Sequence, residues 1–324
     1  MKMVRWKAVA SVLLPMVIHS EVVAQISTVI THGFALDFIG DPGKAPWMRV
    51  MGQAIIDESP DGLGAVLVYV PATGEWDCVY GSVSESEPVV LIHNWIDESD
   101  GVDVPGNNIG YAEAAGDALF AALRDPTGDI EFDLVAGRTL HFIGHSRGAC
   151  VNSETVQRLD AAGVPVDQVT TLDPHPVGLL TEDCNLPGEP DWGDPIPKKW
   201  SNVTWADNYW RADGSVADAE CDFDGISGFT TFSDYDVDLY HFLGDDDGHD
   251  PDNVVSPCTL EHVEVHAWYH GTIDTDATTD GECTIEQDDW YDGAESGCFE
   301  SSCSGYDHSA MRGGPRPGQL AGLD

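Results

Sequence analysis

The amino-acid sequence predicts an α/β fold, a mostly parallel central sheet with helices on both faces. Two observations carry this. Short, continuously apolar runs alternate with stretches of helical periodicity up to about residue 212, the pattern of successive βα units. Several of these runs have no polar face, so their strands belong in a sheet covered on both sides, where parallel sheets occur.

The elements follow in chain order. Thr28 to Thr31 is a β-branched run that ends at His32-Gly33. Pro46 occupies a first helical position, where a missing N–H costs nothing, and Val50, Met51, Ala54 and Ile55 share a helix face. Ala65 to Val70 is an apolar strand, Pro71-Ala72-Thr73-Gly74 a turn, and Trp76 to Tyr80 its hairpin return. Val89 to Ile92 is a buried strand, and Ala112, Leu119 and Leu123 mark a helix of small and apolar residues. Thr139 to Ile143 runs straight into Gly144, and a helix from Arg147 to Ala161 follows, closed by Gly163. Val169 to Leu172 is a strand ending at Asp173, and Val203 to Trp205 another, ending near Asp207. Later the pattern weakens to an acidic, Gly-rich stretch over 213–257, a helix-like segment from Val263 to His270, and a tail of little periodicity.

Three segments are expected: a secretory leader over 1–24, an α/β domain over 25–280, and an acidic, Cys-containing extension over 281–324. The leader reading rests on Lys2, Arg5 and Lys7 before the apolar run Ala8 to Ile18, and on Val22-Val23-Ala24 as a cleavage site. That run is too short to span a bilayer, and no other segment reaches spanning length, so no integral membrane segment is expected. The implied compartment is secreted or periplasmic. The 8 cysteines agree, since none form a Cys-x-x-Cys pair and most lie in the loop-rich second half. Cys298 and Cys303 are close enough to close a small loop. Cys150, inside a helix, is expected as a buried free thiol, and parity then leaves at least one more unpaired.

With 57 acidic and 14 basic residues, the formal net charge is −43. A field of that sign repels phosphates, which excludes a nucleic-acid partner and docking on anionic lipid through a basic patch. A hydrophobic fraction of 42% and 10 Trp residues exclude a disordered chain. The acidity fits colloidal solubility or saline surroundings. The cluster from Asp245 to Asp250 carries calcium-type oxygen ligands but not the EF-hand spacing, and no metal or cofactor is assigned.

The chemistry concentrates in Gly144-His145-Ser146-Arg147-Gly148. A strand precedes it and a helix follows without a gap, the setting in which a serine sits on a strained turn with its hydroxyl exposed. Ser146 is the candidate nucleophile. Thr31-His32-Gly33-Phe34 ends the neighbouring strand, and the amides of Phe34 and Arg147 are the candidate oxyanion hole. Asp173, in Thr171-Leu172-Asp173-Pro174, ends the strand after the nucleophile helix and lies on the same rim; Asp207, one strand later, is the rival acid. The order Ser, Asp, His requires a late base. His262 stands where a loop enters a helix, with His266 as the alternative. His262, His266 and His270 also share a helix face, a pattern that binds zinc elsewhere, but Glu264 is out of register for the general base of such a site.

These segments, with Trp205-Ala206-Asp207-Asn208-Tyr209-Trp210 and His262-Val263-Glu264-Val265-His266-Ala267-Trp268-Tyr269, resemble the α/β-hydrolase superfamily. More narrowly they resemble secreted bacterial lipase- and esterase-like hydrolases. The resemblance covers residues 26 to about 272. It implies an α/β-hydrolase fold and a serine hydrolase of carboxylic esters. The expected partner is a small-molecule or lipid ester substrate, with no cofactor. Similarity to lipases of the pancreatic type, whose acid lies in an Asp-Pro segment after the nucleophile helix, implies Asp173 rather than Asp207. The segment after residue 212 is too acidic to read as an amphipathic lid, which points to a soluble or short-chain ester. Two other readings stand beside this one. One is a secreted binding protein without activity on the same fold; the other is a metal-dependent hydrolase using the His262/His266/His270 face.

Overall fold

The computed structural model describes residues 25–33, 45–99, 110–176, 194–210, 233–239, 261–285 and 305–317. Among them the strands are β1 (Ile26–Thr31), β2 (Ala65–Val70), β3 (Glu75–Gly81), β4 (Val89–His93), β5 (Thr139–His145), β6 (Val166–Leu172), β7 (Val203–Trp210) and β8 (Tyr235–Asp238). The helices are α1 (Pro46–Asp57), α2 (Ile96–Ser99), α3 (Tyr111–Arg124), α4 (Gly148–Ala161) and α5 (Glu261–Ile273).

The strands form one sheet in the order β3-β2-β4-β1-β5-β6-β7-β8. Neighbours are parallel except β2 and β3, which pair antiparallel as a hairpin. Strands β2 to β4 lie on one side of β1 and strands β5 to β8 on the other. The chain therefore reverses direction across the sheet beside β1, and ligands of open α/β sheets bind at such a switch, beyond the carboxyl ends of the strands. This is an α/β-hydrolase fold.

Side chains alternate between two cores because successive strand residues point to opposite faces. Ile30, Val66, Val68 and Ile143 face a core closed by α1 and α5. Val29, Leu67, Leu140 and Phe142 face one closed by α3 and α4. Helix α3 lies close on α4 because it carries Gly116. A Cβ there would stand 2.7 Å from Glu154 Cβ and 3.0 Å from the Val151 carbonyl oxygen. After α4, Gly163 adopts φ 72°, the left-handed turn expected of a glycine past a helix end.

Strand β7 runs to Trp210, well past the expected end near Asp207. Its aromatic residues suit a pleated surface, and bonds from Gln168 and Thr170 satisfy the buried Asp207 carboxylate. Asp207 pairs with Thr170 in the register, so it sits about 10 Å below the rim reached by Asp173, at the usual rise per strand residue.

The tail contributes to the core. A 3₁₀ turn at Gly305–His308 buries Tyr306 completely against the α1/α5 side. The Gly305 N–H donates to Tyr209 Oη at 3.0 Å, and the Tyr306 N–H to Thr272 Oγ1 at 2.9 Å. Arg316 bonds Asp167 and lies over the Trp205 ring. Cys150 is a buried free thiol, Cys78 is also free, and Cys283 is disulfide-bonded. The expected leader, Phe34, Cys298 and Cys303 lie outside the described residues. No helix among the described residues is long and apolar enough to cross a membrane.

Tyr306→Ala is expected to destabilise the fold by about 3 kcal/mol, the usual cost of emptying a buried aromatic site. Urea denaturation measures it, and a change below about 0.5 kcal/mol, typical of surface substitutions, would contradict the docking of the tail.

Candidate active site

The site is built where β5 turns into α4. Ser146 has φ 54° and Asp173 φ 43°, and these are the described non-glycine residues with positive φ. Such strain persists only where the surroundings impose it. At Ser146 the surroundings are backbone. A Cβ on Gly144 would lie 2.8 Å from Ala149 Cα, and one on Gly148 would lie 2.3 Å from the Thr31 carbonyl oxygen. Gly33, just beyond β1, crosses so near that a Cβ would lie 2.3 Å from Ser146 Cβ and 2.8 Å from its Oγ. Both strained residues are tied into the sheet: the Ser146 N–H donates to the Leu172 carbonyl at 3.0 Å, and the Asp173 N–H to that of Tyr209 at 2.7 Å.

Asp173 is buried, and its Oδ2 lies 2.5 Å from Nδ1 of His262. His262 stands in the first turn of α5 and keeps partial exposure, while Asp173 has almost none. With Nδ1 engaged, Nε2 is the ring nitrogen left for another partner. Among the described residues no hydrogen bond joins Ser146 Oγ to His262.

The loop beyond β1 is fixed by His32. Its Nδ1–H donates to the Gly33 carbonyl at 2.8 Å, and its Nε2 accepts the Trp95 N–H at 3.4 Å. That pattern needs a neutral ring, and burial lowers the His32 pKa to about 4 despite the bond to Gly33. Burial likewise lowers His93 and His175 to about 3, reinforced by His32 and His262 respectively. Phe34, the expected second oxyanion donor, lies outside the described residues. Arg147 precedes α4 as its N-cap, so its amide belongs to the helix N-terminus beside Ser146, where anions are favoured.

The Arg147 side chain has a role the sequence did not reveal. It is fully buried and bonds Asp194 through Nε at 2.5 Å and Nη2 at 2.7 Å. Nη1 donates to the Ser99 carbonyl at 2.9 Å, and the guanidinium lies over the Trp95 ring. A buried arginine needs such a partner. Nothing local in the sequence marks Arg147 as buried, and among 57 acidic residues none stands out as its partner.

The other candidates separate. Asp207 bonds Thr170 Oγ1 at 2.7 Å inside the sheet and makes no described bond to the rim histidines. His266 pairs with Asp280 at 2.6 Å. His270 is buried, and its Nδ1 has no partner among the described residues. His262 and His266 thus bond different carboxylates. Among the described residues, no group of three or more His, Cys, Asp or Glu side chains is placed to hold a metal ion.

No protein-family model and no curated protein matches the chain. Among solved structures it is similar to a protein described as a cell surface hydrolase from Lactobacillus plantarum WCFS1, at 14% identity over 59% of this chain and 69% of that one, with TM-score 0.36. It is also similar to RedJ, solved with a polyethylene glycol molecule in its active site, at 14% identity over 64% and 75%, with TM-score 0.30. A cutinase-like protein from Cryptococcus sp. gives 13% identity over 68% and 79%, with TM-score 0.28. The fold itself is defined by the strand order and the turn around Ser146.

Two stability measurements probe this region. Asp194→Ala strands a buried guanidinium and is expected to cost about 3–5 kcal/mol; a loss under 1 kcal/mol would show that water reaches Arg147. Burial, opposed by bonds from Thr170 and Gln168, raises the Asp207 pKa to about 7. The folded chain therefore holds a proton that the unfolded chain has released, and stability falls as pH rises between about 4 and 7. Asp207→Asn is expected to gain on the order of 2 kcal/mol over the wild type at pH 8 relative to pH 4. An equal effect at both pH values would contradict the raised pKa.

Proposed function

We propose that this chain is a serine hydrolase that cleaves carboxylic esters through an acyl-enzyme. One observation carries the reading: His262 is bonded to strained Asp173 at the rim that presents strained Ser146. These residues come from separate elements, and a purely structural protein has no need to strain both positions.

In this reading Ser146 Oγ attacks the ester carbonyl carbon while His262 Nε2 takes the hydroxyl proton. Asp173 accepts the Nδ1–H, which fixes the tautomer and stabilises the imidazolium. The amides of Phe34 and Arg147 receive the oxyanion. Collapse breaks the bond to the alcohol, which leaves with the proton from His262. Water then attacks the acyl carbon with His262 again as base, releasing the carboxylic acid and restoring Ser146. The residues alone supply this chemistry, and no cofactor enters the proposal.

The excess of negative charge supports an uncharged substrate over an anionic one. A soluble or short-chain ester is proposed, and the basic, then apolar, N-terminus supports a secreted or periplasmic site of action. The proposed division keeps 1–24 as a leader and 25–280 as the hydrolase domain, with 281–324 as an acidic extension whose Tyr306 packs into the core of that domain.

Fluorophosphonate treatment followed by intact-mass analysis tests the proposal. One adduct on wild type and none on Ser146→Ala is expected, with ester turnover falling at least about a thousandfold in the variant. A folded wild type that takes no adduct at low or high salt would favour a binding protein without activity.

A further inference from the structure

A second histidine–carboxylate pair lies behind the first. His266 Nδ1 is 2.6 Å from Asp280 Oδ2, and both side chains are almost fully buried. Asp280 Oδ1 also accepts the backbone N–H groups of Glu282 and Cys283 at 2.9 and 2.7 Å. The His266 ring stacks on Trp47, with centroids 4.4 Å apart and planes 10° from parallel. Between the two pairs sits His145, the residue before Ser146. Its ring is 4.6 Å from that of His262, 4.9 Å and edge-on from that of His266, and 5.9 Å from that of Trp47.

The protonation of His145 follows from its partner. Nε2 lies 2.9 Å from the His262 carbonyl oxygen, which can only accept, so Nε2 carries the proton. Burial, then the facing His262, His266 and His32, lower its pKa well below the ordinary histidine value. The ring is neutral. A polar cluster this deep costs desolvation that an apolar filling would avoid, and no step of the proposed reaction uses it.

We infer that His145 is a positioning residue for His262, holding its main chain against the strand that presents Ser146, with His266, Asp280 and Trp47 as backing. The inference rests on the serine-hydrolase reading. His262 is then fixed twice: Asp173 holds its ring through Nδ1, and His145 holds its backbone through the carbonyl. Its Nε2 is left aimed by both. A neutral His145 also faces the imidazolium that forms during attack without repelling it.

The test is turnover of p-nitrophenyl butyrate by wild type, His145→Leu and His145→Gln, with melting temperatures measured in parallel. His145→Leu is expected to lower kcat about 10- to 100-fold, the scale of a small misplacement of a reacting group, with KM within about 2-fold of wild type. The Gln amide can still donate to the His262 carbonyl, and kcat should return to within about 3-fold of wild type, as expected if one hydrogen bond carries the effect. If the Leu variant does not fold, His145→Phe keeps an aromatic ring in place but removes the Nε2 donor to the His262 carbonyl, and the same loss of kcat is expected. Unchanged kcat in Leu or Phe, or a Gln variant as slow as Leu, would overturn the inference. Turnover that survives Ser146→Ala would overturn the serine-hydrolase reading itself, a separate outcome.

Discussion

Three backbones meet around Ser146 more closely than side chains permit, and the rest of the site depends on that contact. Gly144 closes on Ala149, Gly148 on the end of β1, and Gly33 on Ser146 itself. Each closure removes a freedom. The first sets the angle between β5 and α4, and the second locks α4 to β1, helped by the Thr31 hydroxyl, which donates to Asn152 Oδ1 at 2.7 Å. The third lays the loop after β1 across the serine. The positive φ of Ser146 follows from these constraints. The contact also falls where the strand order reverses beside β1, the position at which ligands of open α/β sheets bind.

Around this contact the same residue types take opposite roles according to environment. Asp173 at the end of β6 meets an imidazole, whereas Asp207, three strand positions lower in register, meets neutral donors and is pushed toward its protonated form. His262 keeps partial exposure and a carboxylate, while His32, His93 and His145 are buried, and these three and the half-buried His175 are held neutral. Neutral imidazoles thus place hydrogen-bonding groups near Ser146 and His262 without adding cations that would lower the pKa of His262.

The parts legible in the sequence are those encoded locally. The strand–Gly-x-Ser-x-Gly–helix junction specifies its own turn, so the elements on either side of Ser146 are legible from residues alone. Pro46 at a helix start and Gly163 past a helix end mark boundaries by backbone chemistry, and they fall where expected. What escaped depends on distant contacts. The length of β7 and the depth of Asp207 follow from bonds to Gln168 and Thr170 on the neighbouring strand. The pairing of Arg147 with Asp194 spans 47 residues, and in so acidic a chain composition does not single out the partner. The tail has no periodicity because a short 3₁₀ turn with one buried tyrosine has none to show.

The central claim is that Ser146 and His262 act as one unit, with Asp173 orienting the base. Residues that act as a unit are non-additive: once one is lost, losing the other costs little more. The direct measurement is ester turnover by Ser146→Ala, His262→Ala and the double variant, each confirmed as folded. The account predicts three rate losses of similar size. A double variant whose loss is the product of the single losses would contradict it, since the two residues would then contribute independently.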